Sequence, residues 1–431
     1  MAIEAEKNRL TASRDRGPRD VGLRARAAAV IPGGMYGHMS TRLLPPGYPQ
    51  FMRSAQGARI VDVDDREYVD LMCSYGPVIV GHRNPEVERA VAAQAAAGDC
   101  LNGPTERMVE LAEKLVATVH HADWAMFAKN GTDATTLCCT IARAATGRRK
   151  ILVASGAYHG ASPWFTPIPA GTTPEDRVNF VPYQYNDLAS VRAAADPVAG
   201  DLAAVLTSPF KHDAGIDQEM VDPAFAEGLR ALCDESGAAL ILDDVRCGFR
   251  LHHGGSWEPI GVAPDLSAWS KAIANGYALA AVLGGERYRE AAASIFATGS
   301  FWFSSIAMAA SLATIDVLER EAAVPHMVRM GTALREGIGA QAARCGFDIR
   351  QTGPVQMPFL SFVGDRDHAI AGRFCELALY HGVYLHPRHN WFISAAMTDL
   401  DLSMALDGTD KAFSELGDAL ADHDHVEKAN R

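Results

Sequence analysis

The central part of this chain alternates short strand-like runs with helix-like segments, and this alternation limits the possible folds more than any other feature. Runs such as 202–207 and 238–243 are almost continuously apolar, which is typical of strands buried on both faces of a sheet. The predicted strands cover 124–128, 150–155, 202–207, 238–243, 266–270 and 279–283, and the predicted helices cover 105–119, 132–146, 187–196 and 223–236. This order predicts an α/β fold with a mostly parallel sheet covered by helices on both faces.

The segments on either side of this region follow other patterns. Residues 1–20 are predicted to form a polar arm, and 58–71 is predicted to be a hairpin with an acidic turn. The Ala-rich stretch 305–320 predicts a helix, and 325–425 combines amphipathic segments with short strands predicted at 359–363, 383–385 and 391–396. We therefore expect an N-terminal segment (1–75) that contributes to a small domain, a large domain (76–320) and a small α+β domain (321–431).

Charge and composition exclude several classes of protein. The chain has 431 residues, a formal net charge of −12 and no run rich in Lys or Arg, which disfavours non-specific binding to nucleic acid or to membranes. Its eight cysteines lack the spacing of metal ligands. Residues 1–26 contain no apolar signal core, and no stretch of about 20 apolar residues occurs. We expect a soluble, cytoplasmic protein without a metal site.

Two predicted strands end in side chains that suit one covalent chemistry. The strand 238–243 ends at Asp243, and Lys271 follows the run 266–270, 28 positions later. Ligands of doubly wound sheets bind beyond the carboxyl ends of the strands, so we expect these two side chains to lie close together. A lysine forms a Schiff base with an aldehyde, and a carboxylate keeps a pyridine ring protonated, which is the pairing that pyridoxal 5′-phosphate (PLP) requires. Taken alone, the pair Asp243 and Asp244 is better explained as turn or capping residues, and the lysine downstream reverses that preference.

Three further motifs lie where a phosphate or a flat ring would bind. A glycine at the start of a helix lets the backbone approach an anion, and a tyrosine after a strand can stack on a ring. Taken singly, each motif is better explained by a helix cap or by ordinary packing. The motif residues are Gly131 and Thr132 after strand 124–128, Tyr158 and His159 after strand 150–155, and Gly299 and Ser300 before an aromatic cluster.

Together these residues resemble the class III, fold-type I PLP-dependent aminotransferases, and in particular the glutamate-1-semialdehyde aminomutase subgroup. The resemblance covers nearly the whole chain. It implies a three-layer large domain, a smaller α+β domain, and a homodimer with active sites at the subunit interface. It also implies roles for the motif residues: Lys271 forms the Schiff base, Asp243 holds the pyridine nitrogen, Gly131 and Thr132 hold the phosphate, Tyr158 and His159 cover one ring face, Val245 covers the other, and Gly299 and Ser300 reach the phosphate from the neighbouring subunit.

Four departures from the aminomutase pattern argue against glutamate-1-semialdehyde as the substrate. Ser208 stands where the family has a glutamate, and Asp213 stands where the aminomutase has an asparagine near the cofactor. Ser40 aligns near the aminomutase's substrate-binding arginine, and the segment 386–392 lacks a counterpart of its gating glutamate. The substrate side of the site is therefore expected to differ from that of the aminomutase.

We predict three substrate-side residues. Arg388 is expected to hold a carboxylate through a two-pronged contact, with an ordinary surface arginine as the alternative. Asp213 is expected to pair with a cation or carry a proton. Tyr75 is expected to belong to an aromatic pocket for a hydrophobic amine or a β-amino acid, and the other candidate members are Tyr36, Trp164, Trp302 and Trp391.

The resemblance implies an aminotransferase that moves an amino group from an amine or amino acid to a keto acid or aldehyde. Two alternatives stay open, because the same lysine and aspartate also serve PLP-dependent aminomutases, epimerases and decarboxylases, and because a PLP-type fold can act in binding or assembly without catalysis. A requirement for a separate acceptor distinguishes the aminotransferase from the other enzymes. Absence of the cofactor's visible absorbance would indicate the non-catalytic protein.

Overall fold

The computed structural model describes residues 17–45 and 47–429. Its strands are β1 (Met52–Gln56), β2 (Arg59–Asp62), β3 (Glu67–Asp70), β4 (Trp124–Ala128), β5 (Lys150–Ala154), β6 (Phe180–Tyr183), β7 (Leu202–Thr207), β8 (Ala239–Asp243), β9 (Leu266–Trp269), β10 (Ala280–Gly284), β11 (Ile349–Thr352), β12 (Phe359–Phe362) and β13 (Val383–Tyr384). Its helices are α1 (Pro18–Val30), α2 (Pro85–Ala97), α3 (Glu106–Thr118), α4 (Gly131–Thr146), α5 (Pro174–Arg177), α6 (Leu188–Ala195), α7 (Pro223–Ser236), α8 (Arg289–Ser294), α9 (Ser305–Arg320), α10 (Ala323–Arg344), α11 (Ala369–Tyr380) and α12 (Asp399–Ala429). Among these described helices, none combines the length and apolarity needed to cross a membrane.

The large sheet has seven strands in the order β4-β10-β9-β8-β7-β5-β6. The predicted mostly parallel α/β sheet is confirmed, because only β10 runs against its neighbours, antiparallel to both β4 and β9. The reason is local: β10 follows β9 after a short connection, whereas a parallel return needs a crossover of a dozen or more residues. The carboxyl ends of the other six strands therefore meet at one edge of the sheet.

Helices cover both faces of this sheet, and alternate residues of β8 show the three layers. Ile241 packs into a cluster with residues of α4 and α8 on one face. Leu240 and Leu242 pack into a second cluster with residues of α6 and α7 on the other face. Because side chains of a strand alternate between faces, a strand buried on both sides must be apolar throughout, as β8 is up to its last residue.

A second sheet joins chain segments from both halves of the sequence. Its order is β1-β2-β3-β13, and β13 pairs in parallel with β3 through Val383 opposite Val69. The hairpin β11–β12 and the helices α10 to α12 complete this region. The domain boundaries placed after residues 75 and 320 stay a prediction, although this pairing is consistent with an N-terminal contribution to the smaller domain.

Most predicted elements are present within one or two residues, but the strand predicted at 391–396 is wrong. That segment is extended without joining a ladder, because its backbone N–H groups donate to several separate segments: Trp391 to Pro358, Phe392 to Leu71, Ile393 to Gln356 and Ala395 to Ile79. Several elements were not predicted, among them α2, β1, β6 and β11. In β6, Pro182 removes an N–H group and masks the strand pattern, and the sheet tolerates it because β6 is an edge strand. The polar arm predicted at 1–20 lies largely outside the described residues.

Candidate active site

A cavity of about 530 Å³ opens at the edge where the carboxyl ends of the parallel strands meet. This is the position expected for a ligand of an open α/β sheet. The structure brings together there seven of the predicted site residues, and all of them line the cavity: Gly131, Thr132, Tyr158, His159, Asp243, Val245 and Lys271. The cavity therefore combines the ends of β4, β5, β8 and β9.

Lys271 lies near the start of the short connection between β9 and β10. Its φ of 50° lies in the left-handed region, and such strain in a non-glycine residue is often found at functional sites. Burial, followed by the nearby positive charge of Arg246, lowers the pKa of Lys271 to about 7, although Asp243 opposes both effects. A large fraction of this amine is therefore neutral and nucleophilic at neutral pH.

Asp243 ends β8 and is held in place by a buried histidine. Its Oδ2 lies 2.7 Å from Nδ1 of His159, and its Oδ1 accepts the backbone N–H of Val245 at 3.1 Å. Asp243 is 6% exposed and His159 is 2% exposed. Thr135 fixes the backbone of the histidine, because its hydroxyl donates to the His159 carbonyl at 2.7 Å. His159 was expected to cover a ring face, but its direct contact in this structure is with the carboxylate.

The amino-terminal end of α4 forms a cradle for an anion. Asn130 and Asp133 form a capping box there, and the first backbone N–H groups of a helix have no acceptor within it. Two glycines keep the cradle open. A Cβ at Gly131 would lie 2.7 Å from Val245 Cγ1, and a Cβ at Gly160 would lie 2.8 Å from Thr132 Oγ1.

Arg246 and His212 also line the cavity, and sequence reasoning assigned no role to either. Arg246 Nη1 donates to the His212 carbonyl at 2.9 Å and to Asn390 Oδ1 at 3.1 Å. Both acceptors are uncharged, so the cation keeps its full positive charge beside Lys271. The sequence offered one indication of a role for Arg246, namely that it directly follows Val245, a predicted site residue.

Tyr75 lies on a strained segment beside Lys271. Cys73, Ser74 and Tyr75 have φ values of 46°, 55° and 64°, and the left-handed region costs roughly 1–2 kcal/mol per residue. Gly76 follows at a φ of 107°, and a Cβ there would lie 3.5 Å from Lys271 Cδ. The segment therefore approaches the lysine closely enough to form a wall of the substrate side.

Arg250 holds this segment against the chain around residue 393. Its guanidinium is fully buried and donates to the carbonyl oxygens of Gly76 and Val78 at 3.0 and 3.3 Å, and to that of Ile393. Its guanidinium carbon also lies 5.1 Å from the centre of the Phe392 ring. Buried polar groups stabilise a fold only when they are paired, and here one cation pairs with carbonyls of two segments that form the site.

The remaining predicted site residues lie outside the lining of this cavity. Gly299 is half-buried and Ser300 is exposed. Next to Ser300, the centre of the Phe301 ring lies 5.3 Å from Lys129 Nζ. Arg388 has an exposed side chain, and its carbonyl accepts the N–H of Gly215. Asp213 is half-buried, and burial raises its pKa. Their predicted roles stay predictions.

The other proposed aromatic pocket residues are dispersed. Trp391 is 2% exposed and packs in the main core, where its Nε1 donates to the His386 carbonyl. Trp164 stacks on Phe180, and Tyr36 is exposed. Trp302 packs against the cluster beside α4. Tyr75 remains of interest because it directly precedes Gly76, whose position approaches Lys271.

The residues of the cavity fit PLP. The α4 cradle suits a phosphate, Asp243 suits a protonated ring nitrogen, and the neutral amine of Lys271 suits an aldehyde. Val245 and Tyr158 supply side chains for the two faces of a ring. When bound, PLP supplies a carbonyl for an amine and a ring that withdraws electrons.

Comparison with known proteins gives one consistent result. The family Aminotransferase class-III matches residues 45–419. An aminopentol aminotransferase of Sphingopyxis macrogoltabida is 50% identical over 398 residues, which are 92% of this chain and 94% of that protein. A glutamate-1-semialdehyde 2,1-aminomutase of Desulfitobacterium hafniense is 32% identical over 421 residues, which are 91% and 97% of the two chains. The solved structure of the PLP internal aldimine form of the FumI protein of Sphingopyxis sp. MTA144 has a TM-score of 0.93 at 50% identity and covers 94% of this chain and 98% of that one.

Proposed function

Because this chain belongs to the class III aminotransferases and uses PLP, we propose that it takes the amino group from an amine that also carries hydroxyl groups and passes it to a keto acid. The observation that carries the reaction is Lys271, whose pKa is lowered to about 7, in one cavity with the Asp243–His159 pair. The donor class is suggested by the 50% identical relative, whose name denotes an amine with five hydroxyl groups.

We propose the following division of work in the cavity. Lys271 holds the cofactor through a Schiff base and, once displaced by the donor, acts as the base that removes a proton from the carbon next to the donor nitrogen. Asp243 stabilises a positive charge on the ring nitrogen, and His159 fixes the orientation of its carboxylate. Gly131 and Thr132 offer N–H groups to the phosphate.

We further propose that the enzyme is a homodimer and that Gly299 and Ser300 act in the partner's site. Phe296 and Phe301 flank these residues and are 94% and 59% exposed, and a second subunit would remove this apolar surface from water. Light scattering of the purified enzyme should give twice the chain mass. Ser300→Ala should weaken retention of PLP without changing that mass, and a monomer with full activity would contradict the proposal.

The reaction is tested by the absorbance spectrum of the purified protein before and after addition of a panel of amines without acceptor. A visible band that a hydroxylated amine removes, and that a keto acid restores, supports the proposed transfer. Lys271→Ala should remove both the visible band and turnover. A variant with near-normal activity would contradict the role of Lys271, and a band that no amine changes would contradict the donor class.

A further inference from the structure

A cluster of imidazole rings surrounds Tyr75 on the substrate side of the site, and none of these histidines has been assigned a role. The centre of the Tyr75 ring lies 4.8 Å from that of His38, 5.1 Å from that of His389 and 6.1 Å from that of His386. The rings of His386 and His389 lie 6.2 Å apart. We call these four residues the histidine face.

The histidine face borders the reactive lysine. Tyr75 directly precedes Gly76, whose position approaches Lys271 Cδ. His389 packs on Phe392 with ring centres 5.8 Å apart. A Cβ at Gly76 would lie 3.0 Å from Phe392 Cε1 and 3.5 Å from Lys271 Cδ, so Phe392 and the lysine meet at this position. A donor whose nitrogen reaches Lys271 therefore presents its neighbouring carbons to this face.

Backbone contacts assign opposite hydrogen-bonding roles to two of the rings. His389 Nδ1 lies 2.7 Å from the carbonyl oxygen of Asn390 and must donate, which leaves Nε2 of the neutral ring as an acceptor. His386 Nδ1 accepts the N–H of Arg388 at 3.1 Å, which leaves its Nε2 as a donor. Neither Nε2 has another hydrogen-bond partner within the described part of the chain.

Both rings are uncharged at neutral pH. Burial, followed by the charge of Arg388, lowers the pKa of His386 to about 4. Burial, followed by the charge of Arg246, lowers the pKa of His389 well below its ordinary value. One donor and one acceptor without charge match a hydroxyl group, which both donates and accepts, whereas a carboxylate accepts only.

We propose that His386 and His389, together with Tyr75, bind a hydroxyl group on the carbon next to the amine of the donor. The inference rests on the proposed function and names the residues that select its donor class. These residues contact the substrate's hydroxyl rather than the reacting carbon, so their effect should fall on the choice of donor.

The test compares two donors that differ by one hydroxyl group, 2-amino-3-octanol and 2-aminooctane, with the PLP-loaded enzyme and a keto acid acceptor. The readout is the ratio of kcat/KM for the alcohol to kcat/KM for the alkylamine. The wild-type ratio should be about 10 or more, because two hydrogen bonds of ordinary net strength contribute to it, and His386→Phe and His389→Phe should each lower it about fivefold. His389→Gln keeps an acceptor oxygen and should retain most of the preference, and His120→Phe, at an exposed histidine paired with Glu258, should leave it unchanged.

The possible outcomes separate this inference from the proposed function. If the wild-type enzyme uses both donors equally well, or if both phenylalanine variants keep the wild-type ratio, the role of the histidine face is refuted while the aminotransferase stands. If neither donor reacts, the proposed donor class fails and this inference fails with it. The ratio remains informative if a variant loses activity in general, because such a loss affects both donors.

Discussion

The lowered pKa of Lys271 makes a quantitative prediction for the enzyme without its cofactor. With a pKa of about 7, about half of the Lys271 amines are neutral at pH 7, against roughly one in 3,000 for a lysine with the ordinary value near 10.4. Only the neutral amine attacks an aldehyde. After correction for how easily the reagent reaches each lysine, Lys271 should therefore be modified far faster at neutral pH than an exposed lysine.

The assay is competitive labelling of the cofactor-free enzyme with formaldehyde and borohydride from pH 5 to 9.5, followed by mass spectrometry of the peptides. Formaldehyde has no ionisable group, so the profile reports the lysine. Labelling of Lys271 should rise about tenfold per pH unit at low pH and become level above about pH 7, whereas labelling of exposed Lys411 should keep rising. The height of the plateau reports how accessible Lys271 is to formaldehyde. The pH at which labelling reaches half of that height reports the pKa.

Arg246→Met tests the cause of the shift. Removal of the positive charge should raise the midpoint for Lys271 by roughly 1 pH unit, because Arg246 is the largest charge effect on this amine after burial. A wild-type profile that rises steadily to pH 9.5 would refute the lowered pKa. An unchanged midpoint in Arg246→Met would assign the shift to burial alone.

Three further predictions concern the surroundings of the lysine. Asp243→Asn should retain PLP yet lose most of its activity, because the ring nitrogen is no longer held protonated; full activity would place its partner elsewhere. Gly160→Ala should weaken PLP retention at least tenfold in equilibrium dialysis, whereas Gly171→Ala, at a glycine that also has a positive φ but no atom within 4 Å of the added Cβ, should not; unchanged retention in Gly160→Ala would contradict the role of Gly160 in keeping the cradle open. Arg250→Met should lower the free energy of unfolding in urea by about 3 kcal/mol, since it leaves buried carbonyls unpaired, whereas exposed Arg350→Met should change it by less than about 0.5 kcal/mol; similar small losses in both would refute the role of Arg250.

The sequence was sufficient to predict the large sheet and the cofactor side of the site. The predicted strands 238–243 and 266–270 are short apolar runs, and the reactive side chains Asp243 and Lys271 stand at or directly after their ends. The parallel topology then brings these side chains together, because parallel strands have their carboxyl ends at one edge of the sheet. The resemblance to a family then implied a role for each motif residue, and seven of these residues line the cavity.

The substrate side could not be predicted in the same way. Tyr75, His386 and His389 come from segments about 300 residues apart and meet through irregular backbone rather than through strands. The strain at Cys73 to Tyr75 and the clamp by Arg250 leave no periodic pattern. Even the predicted strand at 391–396 was wrong for this reason, since an apolar stretch with several partners resembles a strand until those partners are known.

The position of the reversed strand β10 in the sheet has a consequence for the order in which this protein can fold. β10 lies between β9 and β4, and it pairs Ala280 with Ala128 across 152 positions of the chain. During synthesis, β4 and the helix after it must wait for β10 before they join the strand that leads to Lys271. The phosphate cradle and the lysine are therefore united late, and closing so large a loop is slow. Acquisition of PLP would then mark the completion of the sheet in a refolding experiment, rather than an early nucleus.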